Sequence, residues 1–334
     1  MKKYFIGIIV FTALLGLLTL LVPVTSVGLN VNIPQGASIK MVSKNIAKNN
    51  LVPSWLLETT GRLSTLMMPI VGQKIVLKPG RYTLEHSQTA WSIWRTLNQQ
   101  LPQMVEVRLL EGWNFKQIRA AINQHTDLKH ETIYLDDAAL MQRLGVPELH
   151  PEGRFFPDTY QVSRGASDIT VYKVAFERMR KMSSTVWSTK PADSVLKSVD
   201  DLINLAAIVE KETAAALERG LVASVFHNRL NLGMRLQTDP TVIYGMGAYY
   251  QGNIRKADLQ RDTPYNTYTR LGLPPTPIAA PSEASLRAAI NPPKTNFIYF
   301  VAKGDGSGRS QFSSTLNQHN RAVADYLSRL KSFK

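Results

Sequence analysis

The chain has 334 residues, no cysteine and a formal net charge of +14 at pH 7. The lack of cysteine excludes disulfides, thiolate catalysis, Cys-ligated zinc and iron–sulfur clusters. The excess of Lys and Arg favours an anionic partner, which could be nucleic acid, anionic lipid or an acidic polymer; alternatively it serves solubility alone. Hydrophobic residues make up 44% and charged residues 19%, so a folded core is expected.

The N-terminus carries an apolar segment over residues 5–22, preceded by Lys2 and Lys3. About 18 apolar residues are at the lower limit for crossing a bilayer. The residues that follow lack a small-residue cleavage site, so we expect an uncleaved anchor over 1–27 instead of a signal peptide. Because the next basic residue is Lys40, the positive-inside rule puts the bulk of the chain outside the cytoplasm, away from nucleic acid.

Three segments then repeat a pattern of short strand, turn, polar cap and amphipathic helix. The caps are Ser38, Thr89 and Asn114, and each precedes apolar residues three to four positions apart. Pro53-Ser54 starts a further helix. The first two units and this helix form a module over 28–104 that resembles LysM domains, which bind cell-wall glycan. The alternative is a stalk that sets the height of the next domain above the membrane.

Residues 105–334 are expected to form one larger domain that mixes helices and strands. An apolar β-prone run predicts a strand over 297–301, and 311–313 is its expected hairpin partner after a glycine-rich turn. Since helices and strands do not alternate regularly, the predicted fold class is α+β. Helices are predicted over 116–124, 168–183, 200–212, 218–232, 284–290 and 318–331.

The most informative segment is 205–213, a predicted helix that contains Glu210 and Glu212. Two positions on a helix separate these carboxyls by about 200°, so they cannot act as a pair. The alternative is a solvated Glu-Lys-Glu patch. An apolar niche would raise the pKa of Glu210, as a general acid requires. The neighbours on the face of Glu210 are small residues: Ala206, Ala207, Thr213 and Ala214.

Three other clusters combine polar and aromatic side chains, as sugar-binding sites do. They span 228–245, 265–279 and 151–160. Each has a plainer interpretation as well: a helix end with a turn at Asp239-Pro240, a surface connection, and a tightly packed turn.

The motifs together resemble the endolytic murein transglycosylase (MltG, YceG-like) family. They cover most of 105–334 in the order typical of that family, behind a matching anchor and wall-binding-like module. Arg154 and His227 depart from the pattern, because an apolar residue is expected at each position. The motifs are E-G-R-F-F-P-D-T-Y (152–160), I-V-E-K-E-T (208–213), F-H-N-R-L (226–230), M-R-L-Q-T-D-P-T-V-I-Y-G (234–245), Y-N-T-Y (265–268) and G-L-P-P-T-P-I (272–278).

The resemblance implies an enzyme that needs no metal or other cofactor. It would cleave the β-1,4 bond between N-acetylmuramic acid and N-acetylglucosamine in nascent peptidoglycan, leaving a 1,6-anhydro end. One glutamate would act as acid and then as base, and the resemblance assigns that role to Glu210. Membrane peptidoglycan synthases are the expected protein partners, at the bacterial plasma membrane. The expected substrate contacts are Glu152, Glu212, Asn228, Gln237, Asp239, Tyr244, Tyr265, Asn266 and Tyr268.

Two alternatives remain open from the sequence. One is a non-catalytic peptidoglycan-binding scaffold for the wall-synthesis machinery. The other is a muramidase that uses water, which needs a second carboxylate opposite the acid. Asp239 and Glu152 are available for that role.

Overall fold

The structure of the chain is a computed structural model. No helix among the described residues is long and apolar enough to cross a bilayer. The predicted anchor, 1–27, lies outside the described residues except for Pro23 and Thr25. The structure describes residues 23, 25, 28–34, 36–48, 52–67, 77–84, 86–212 and 215–332.

The contacts divide the chain into two units. The first contains the chain up to residue 107 together with 125–131 and 161–170, and the second contains 108–124, 132–160 and 171–334. The domain boundaries predicted from the sequence, 28–104 and 105–334, stay a prediction.

The first unit contains a small antiparallel sheet and three helices. Val31 and Ile33 of β1 are buried, because alternate side chains point to the core. Ser38 and Thr89 accept hydrogen bonds from the first turns of α1 and α3, which confirms both predicted caps. Trp94 is fully buried at the centre. The elements are β1 (Leu29–Ile33), α1 (Ile39–Ala47), α2 (Ser54–Met67), β2 (Gly80–Leu84) and α3 (Ala90–Gln99), and β1 pairs with β2.

The elements that follow α3 in the chain are mainly helices. A second two-stranded sheet joins β3 (Met104–Arg108) to β4 (Thr159–Ser163). The hairpin of β5 (Tyr299–Ala302) and β6 (Ser310–Ser313) is antiparallel, as predicted. The helices are α4 (Phe115–Gln124), α5 (Asp137–Arg143), α6 (Asp168–Trp187), α7 (Val199–Glu212), α8 (Arg219–Asn231), α9 (Asp239–Met246), α10 (Lys256–Gln260), α11 (Glu283–Ile290) and α12 (Leu316–Ser332).

These elements confirm a mixed α+β fold with small sheets. The predicted helices match α4, α6, α7, α8, α11 and α12 to within a few residues. The structure adds α9, which starts at Asp239-Pro240, where a turn was the alternative. Pro240 fits the first turn of a helix, since a backbone N–H there has no partner within the helix.

The core of the second unit is built around α7. Every residue from Leu202 to Val209 is buried, and α8 and α11 pack against this helix. A helix that is enclosed on all sides belongs in a core. Its polar side chains therefore reach a functional surface only near its two ends, with Glu210 and Glu212 at the C-terminal end.

Candidate active site

The C-terminal end of α7 opens onto a cavity of about 530 Å³ in the second unit. Glu212, in the last turn of α7, is partly buried in its wall. Charged, amide and aromatic side chains surround it, which is the mixture that a sugar site requires. The wall includes Arg229, Gln237, Asp239, Tyr268, Tyr299 and His319.

Glu212 is held by a threonine cluster at the start of α9. The Thr238 hydroxyl donates a hydrogen bond to Glu212 Oε1. The Thr238 backbone N–H donates to Thr267 Oγ1 at 3.0 Å, and the Thr267 hydroxyl lies 2.9 Å from Thr241 Oγ1. Because all three threonines are buried, the position of the donor is set by the fold.

The pKa of Glu212 is raised to about 7, mainly because burial disfavours its charged form. The nearby Asp239 carboxylate raises it further, whereas the Thr238 hydrogen bond and the Arg229 charge lower it. A carboxyl with a pKa near 7 can both donate and accept a proton at neutral pH, as acid/base catalysis requires.

Asp239 and Tyr268 form a second polar group on the wall. The Tyr268 hydroxyl donates to Asp239 Oδ1 at 2.6 Å. Gln237, two residues before Asp239, has φ 50°, the only positive φ of a non-glycine residue in the described ranges. Such a backbone conformation is uncommon outside glycine and clusters at functional sites. The residue with this backbone conformation, Gln237, lines the cavity.

Arg229 forms the base of the cavity and was not predicted as a site residue. Its guanidinium donates to the carbonyls of Ile298 and Leu236, both at 2.7 Å. It also lies over the ring of Tyr299, 5.4 Å from the centroid, and Tyr299 stacks on His319 at 5.0 Å. The sequence held one signal for Arg229, its place directly after Asn228 in F-H-N-R-L.

Tyr299 and His319 belong to the C-terminal hairpin and to α12, far along the chain from Glu212. No local pattern links these two side chains to the glutamate helix. Their place in the cavity wall follows from the packing of β5 and α12 in the second unit.

Glu210 occupies different surroundings, as the predicted separation of about 200° on the helix requires. Its side chain is only 6% exposed. Its Oε2 accepts hydrogen bonds from the Ser282 N–H at 2.9 Å and the Ser282 hydroxyl at 2.5 Å. Arg219 Nη2 lies 3.6 Å from Oε1. Ser282 and Arg219 therefore contact the carboxylate directly, whereas Thr213 and Ala214, two of the small residues of the expected niche, lie outside the described residues.

Glu152, which is buried, forms a separate group with the partly buried Tyr244 and Tyr265. The carboxylate of Glu152 accepts hydrogen bonds from the Phe115 N–H at 2.9 Å and from the Tyr244 hydroxyl at 3.0 Å. The rings of Tyr244 and Tyr265 are 4.8 Å apart, and the Tyr265 hydroxyl meets Thr276 Oγ1 at 2.7 Å. Burial raises the pKa of Glu152 to about 7. None of the three predicted residues lines the Glu212 cavity.

The two predicted asparagines hold loops in place. Asn228 Nδ2 donates to the carbonyls of Thr295 and Phe297, and Asn266 Nδ2 donates to three carbonyls of the 258–261 segment. The structure thus brings four predicted residues together in the cavity: Glu212, Gln237, Asp239 and Tyr268.

In the described part of the chain, no group of three or more His, Asp or Glu side chains could hold a metal ion.

A family model described as the YceG-like family matches residues 31–325 of the chain. The chain belongs to the YceG-like family. The match covers almost all of both units. It includes every residue that lines the Glu212 cavity.

Two bacterial relatives of this YceG-like chain are named for an enzymatic activity. An endolytic murein transglycosylase of Bacillus subtilis is 31% identical over 90% of the chain and 85% of its own length. An endolytic murein transglycosylase of Streptococcus pneumoniae is 27% identical over 98% of the chain, which spans 65% of that longer protein. The crystal structure of a yceG-like protein from Listeria monocytogenes shares the fold, with a TM-score of 0.52 and 24% identity over 89% of this chain and 99% of that one.

Proposed function

We propose that the chain is an endolytic murein transglycosylase. It cleaves the β-1,4 bond between N-acetylmuramic acid and N-acetylglucosamine within nascent peptidoglycan strands and thereby ends their elongation. Membership of the YceG-like family and the names of the Bacillus and Streptococcus relatives support this activity.

The main support for the proposed reaction is the position of Glu212 in the wall of the cavity. Its pKa is raised to about 7 in a cavity that also offers aromatic, amide and hydroxyl groups to a sugar. The protonated carboxyl donates to the leaving glycosidic oxygen. The resulting carboxylate then accepts the proton of the muramic acid 6-hydroxyl as this oxygen attacks its own anomeric carbon. The product is a 1,6-anhydro end, and one carboxyl performs both transfers.

Glu210 is the candidate acid that the family resemblance suggests, and it differs from Glu212 in its contacts. The Glu210 carboxylate is occupied by both donors of Ser282 and faces Arg219, with 6% of the side chain exposed. Such contacts join α7 to α11 through the Glu210 side chain. We therefore propose Glu212 as the catalytic residue and Glu210 as a positioning residue.

A hydrolytic muramidase is the second candidate function, and one observation favours it. Asp239 lines the same cavity as Glu212 and could serve as the second carboxylate that a hydrolytic mechanism requires. In this mechanism the product carries a reducing end in place of the anhydro end. The two reactions therefore differ by one water molecule in the mass of each fragment that ends at a newly cut muramic acid.

The test is mass spectrometry of uncrosslinked glycan strands after digestion by the full chain, with Glu212→Gln and Glu210→Gln in parallel. We expect anhydro ends from the wild type and a loss of about three orders of magnitude in kcat for Glu212→Gln, because the amide cannot exchange the proton. Glu210→Gln should keep measurable activity, since its partners are structural.

Loss of activity in Glu210→Gln, with activity kept in Glu212→Gln, would assign the catalytic role to Glu210. Reducing ends from the wild type would establish the muramidase. Unchanged activity in both variants would exclude either carboxyl as the acid. Absence of cleavage by the folded wild type would favour a non-catalytic scaffold.

We also propose how the chain is placed in the cell. The apolar residues 5–22 anchor it in the plasma membrane, and the remainder faces the periplasm beside membrane peptidoglycan synthases. Within the first unit, the order β1, α1, α2, β2 and the antiparallel pairing of the strands support the LysM-like resemblance. On that basis this part of the chain binds the glycan that the second unit cuts.

A further inference from the structure

A second cavity, of about 610 Å³, lies at the other end of α7. It shares no lining residue with the Glu212 cavity. Its walls come from the N-terminal half of α7, the proline-rich loop 273–277 and the segment 148–154, all within the second unit. The volume falls in the range typical of ligand pockets.

Two side chains that line this cavity each have one buried polar atom with no hydrogen-bond partner among the described residues. One is Oδ1 of Asn204, a residue that is 6% exposed and whose amide nitrogen donates to the Pro274 carbonyl at 2.5 Å. The other is Nε of Arg154, whose Nη1 contacts Asp200 at 2.7 Å. Buried polar groups are nearly always satisfied in folded proteins, and both of these atoms belong to side chains of the cavity lining.

The two atoms are complementary in kind. Asn204 Oδ1 accepts a hydrogen bond, whereas Arg154 Nε–H donates one. A secondary amide supplies the matching pair, an N–H and a carbonyl. The apolar side chains of Leu196, Leu230 and Leu273 offer a surface for the substituents of such an amide.

We propose that this cavity binds the peptide attached to the muramic acid of a glycan strand; this inference rests on the proposed function. A peptide and an N-acetyl sugar both contain a secondary amide, but the rim of the cavity carries charges of both signs. Lys197 adds a positive charge to Arg154, and Asp200 and Asp201 add negative ones. The carboxylates and amines of a short peptide can form ion pairs with these side chains, whereas a neutral acetamido group cannot.

The position along α7 fits a second contact with the same substrate. Asn204 and Glu212 are eight residues apart, which corresponds to about 12 Å along the helix axis. A strand bound at Glu212 can therefore present the peptide of a nearby muramic acid to the second cavity. Arg154, which departs from the apolar residue expected in its motif, becomes a specificity-determining residue.

The test is calorimetric titration of the full chain with the free peptide that an amidase releases from purified peptidoglycan. Binding does not depend on turnover, so its failure is distinguishable from failure of the proposed function. We expect saturable binding by the wild type and by Glu212→Gln. For Arg154→Met we expect binding weakened about tenfold or more, since charge-assisted hydrogen bonds are lost.

Arg180→Met is the matched control, because Arg180 is exposed on α6 and pairs with Glu177, outside the cavity. It should bind the peptide as the wild type does. If Arg154→Met fails to fold, as judged by its thermal transition, the exposed rim variant Lys197→Met replaces it, with weakening of about threefold expected.

A kinetic comparison gives an independent measure. Arg154→Met should lower kcat/KM more strongly on peptide-bearing strands than on peptide-free strands. No saturable peptide binding at millimolar concentration, equal affinity in a folded Arg154→Met protein, or binding of diacetylchitobiose in place of the peptide would each overturn the proposal.

Discussion

At the scale of single residues, the proton affinity of Glu212 depends on a few identifiable contacts. Burial raises its pKa to about 7, and the Thr238 hydroxyl opposes that rise by donating to the carboxylate. The free enzyme must hold the proton to begin the proposed reaction. We therefore expect kcat/KM to fall as the pH rises above about 7, where Glu212 loses its proton.

The variant Thr238→Val tests this dependence, because it keeps the shape of the side chain and removes the donor. Without that hydrogen bond the carboxylate is less favoured, so the pKa of Glu212 rises and the falling limb of kcat/KM moves to higher pH. The pH–rate profile of the purified protein measures the shift. Thr185→Val, an exposed control on α6, should leave the profile in place, and an unmoved limb in Thr238→Val would argue against Glu212 as the titrating acid.

At the scale of secondary structure elements, one side chain joins α7 to α11. Ser282 is the N-cap of α11: its hydroxyl oxygen accepts from the Ser285 N–H at 3.2 Å and its hydroxyl hydrogen is directed to Glu210. The cap satisfies a backbone donor at the helix start. The same residue therefore stabilises a helix terminus and a buried carboxylate.

We expect Ser282→Ala to lower the free energy of unfolding by about 2–3 kcal/mol, since a cap contributes about 1 kcal/mol and a buried carboxylate loses a donor. Denaturant titration measures the change. Ser184→Ala, at an exposed position of α6, is the control and should change the free energy of unfolding by less than about 0.5 kcal/mol. Equal stability of the two variants would contradict a joining role for Ser282.

At the scale of the whole molecule, the proposed orientation across the membrane can be tested because the chain has no cysteine. A single Ser184→Cys substitution places one thiol at an exposed position of the second unit. A membrane-impermeant maleimide added to intact spheroplasts should label this thiol, since the second unit is expected outside the cytoplasm.

The labelling experiment has a direct counterpart for the anchor. A thiol introduced at Lys2 should react only after the membrane is permeabilised. Labelling of the Lys2→Cys protein in intact spheroplasts, or protection of the Ser184→Cys protein there, would contradict the proposed orientation.

Much of the local structure, and the family, could be predicted from the sequence alone. Caps such as Ser38 and Thr89, and apolar residues three to four positions apart, act over a single helical turn, so the helices could be located without tertiary contacts. The opposite directions of Glu210 and Glu212 followed from helical geometry alone. The ordered motifs identified the YceG-like family, which the match over residues 31–325 confirmed.

The folded chain was needed to show that Glu212 lines a cavity and that Glu210 contacts Ser282 and Arg219. Burial and partners depend on elements far apart in the chain: Ser282 reaches Glu210 from α11, and Tyr299 and His319 reach the Glu212 cavity from the C-terminal hairpin and helix. The local sequence contains both glutamates, but it does not show which distant residues pack against them. Desolvation and hydrogen bonding by such distant residues set the proton affinity of a carboxyl, which is why its chemistry could be inferred only from the packed chain.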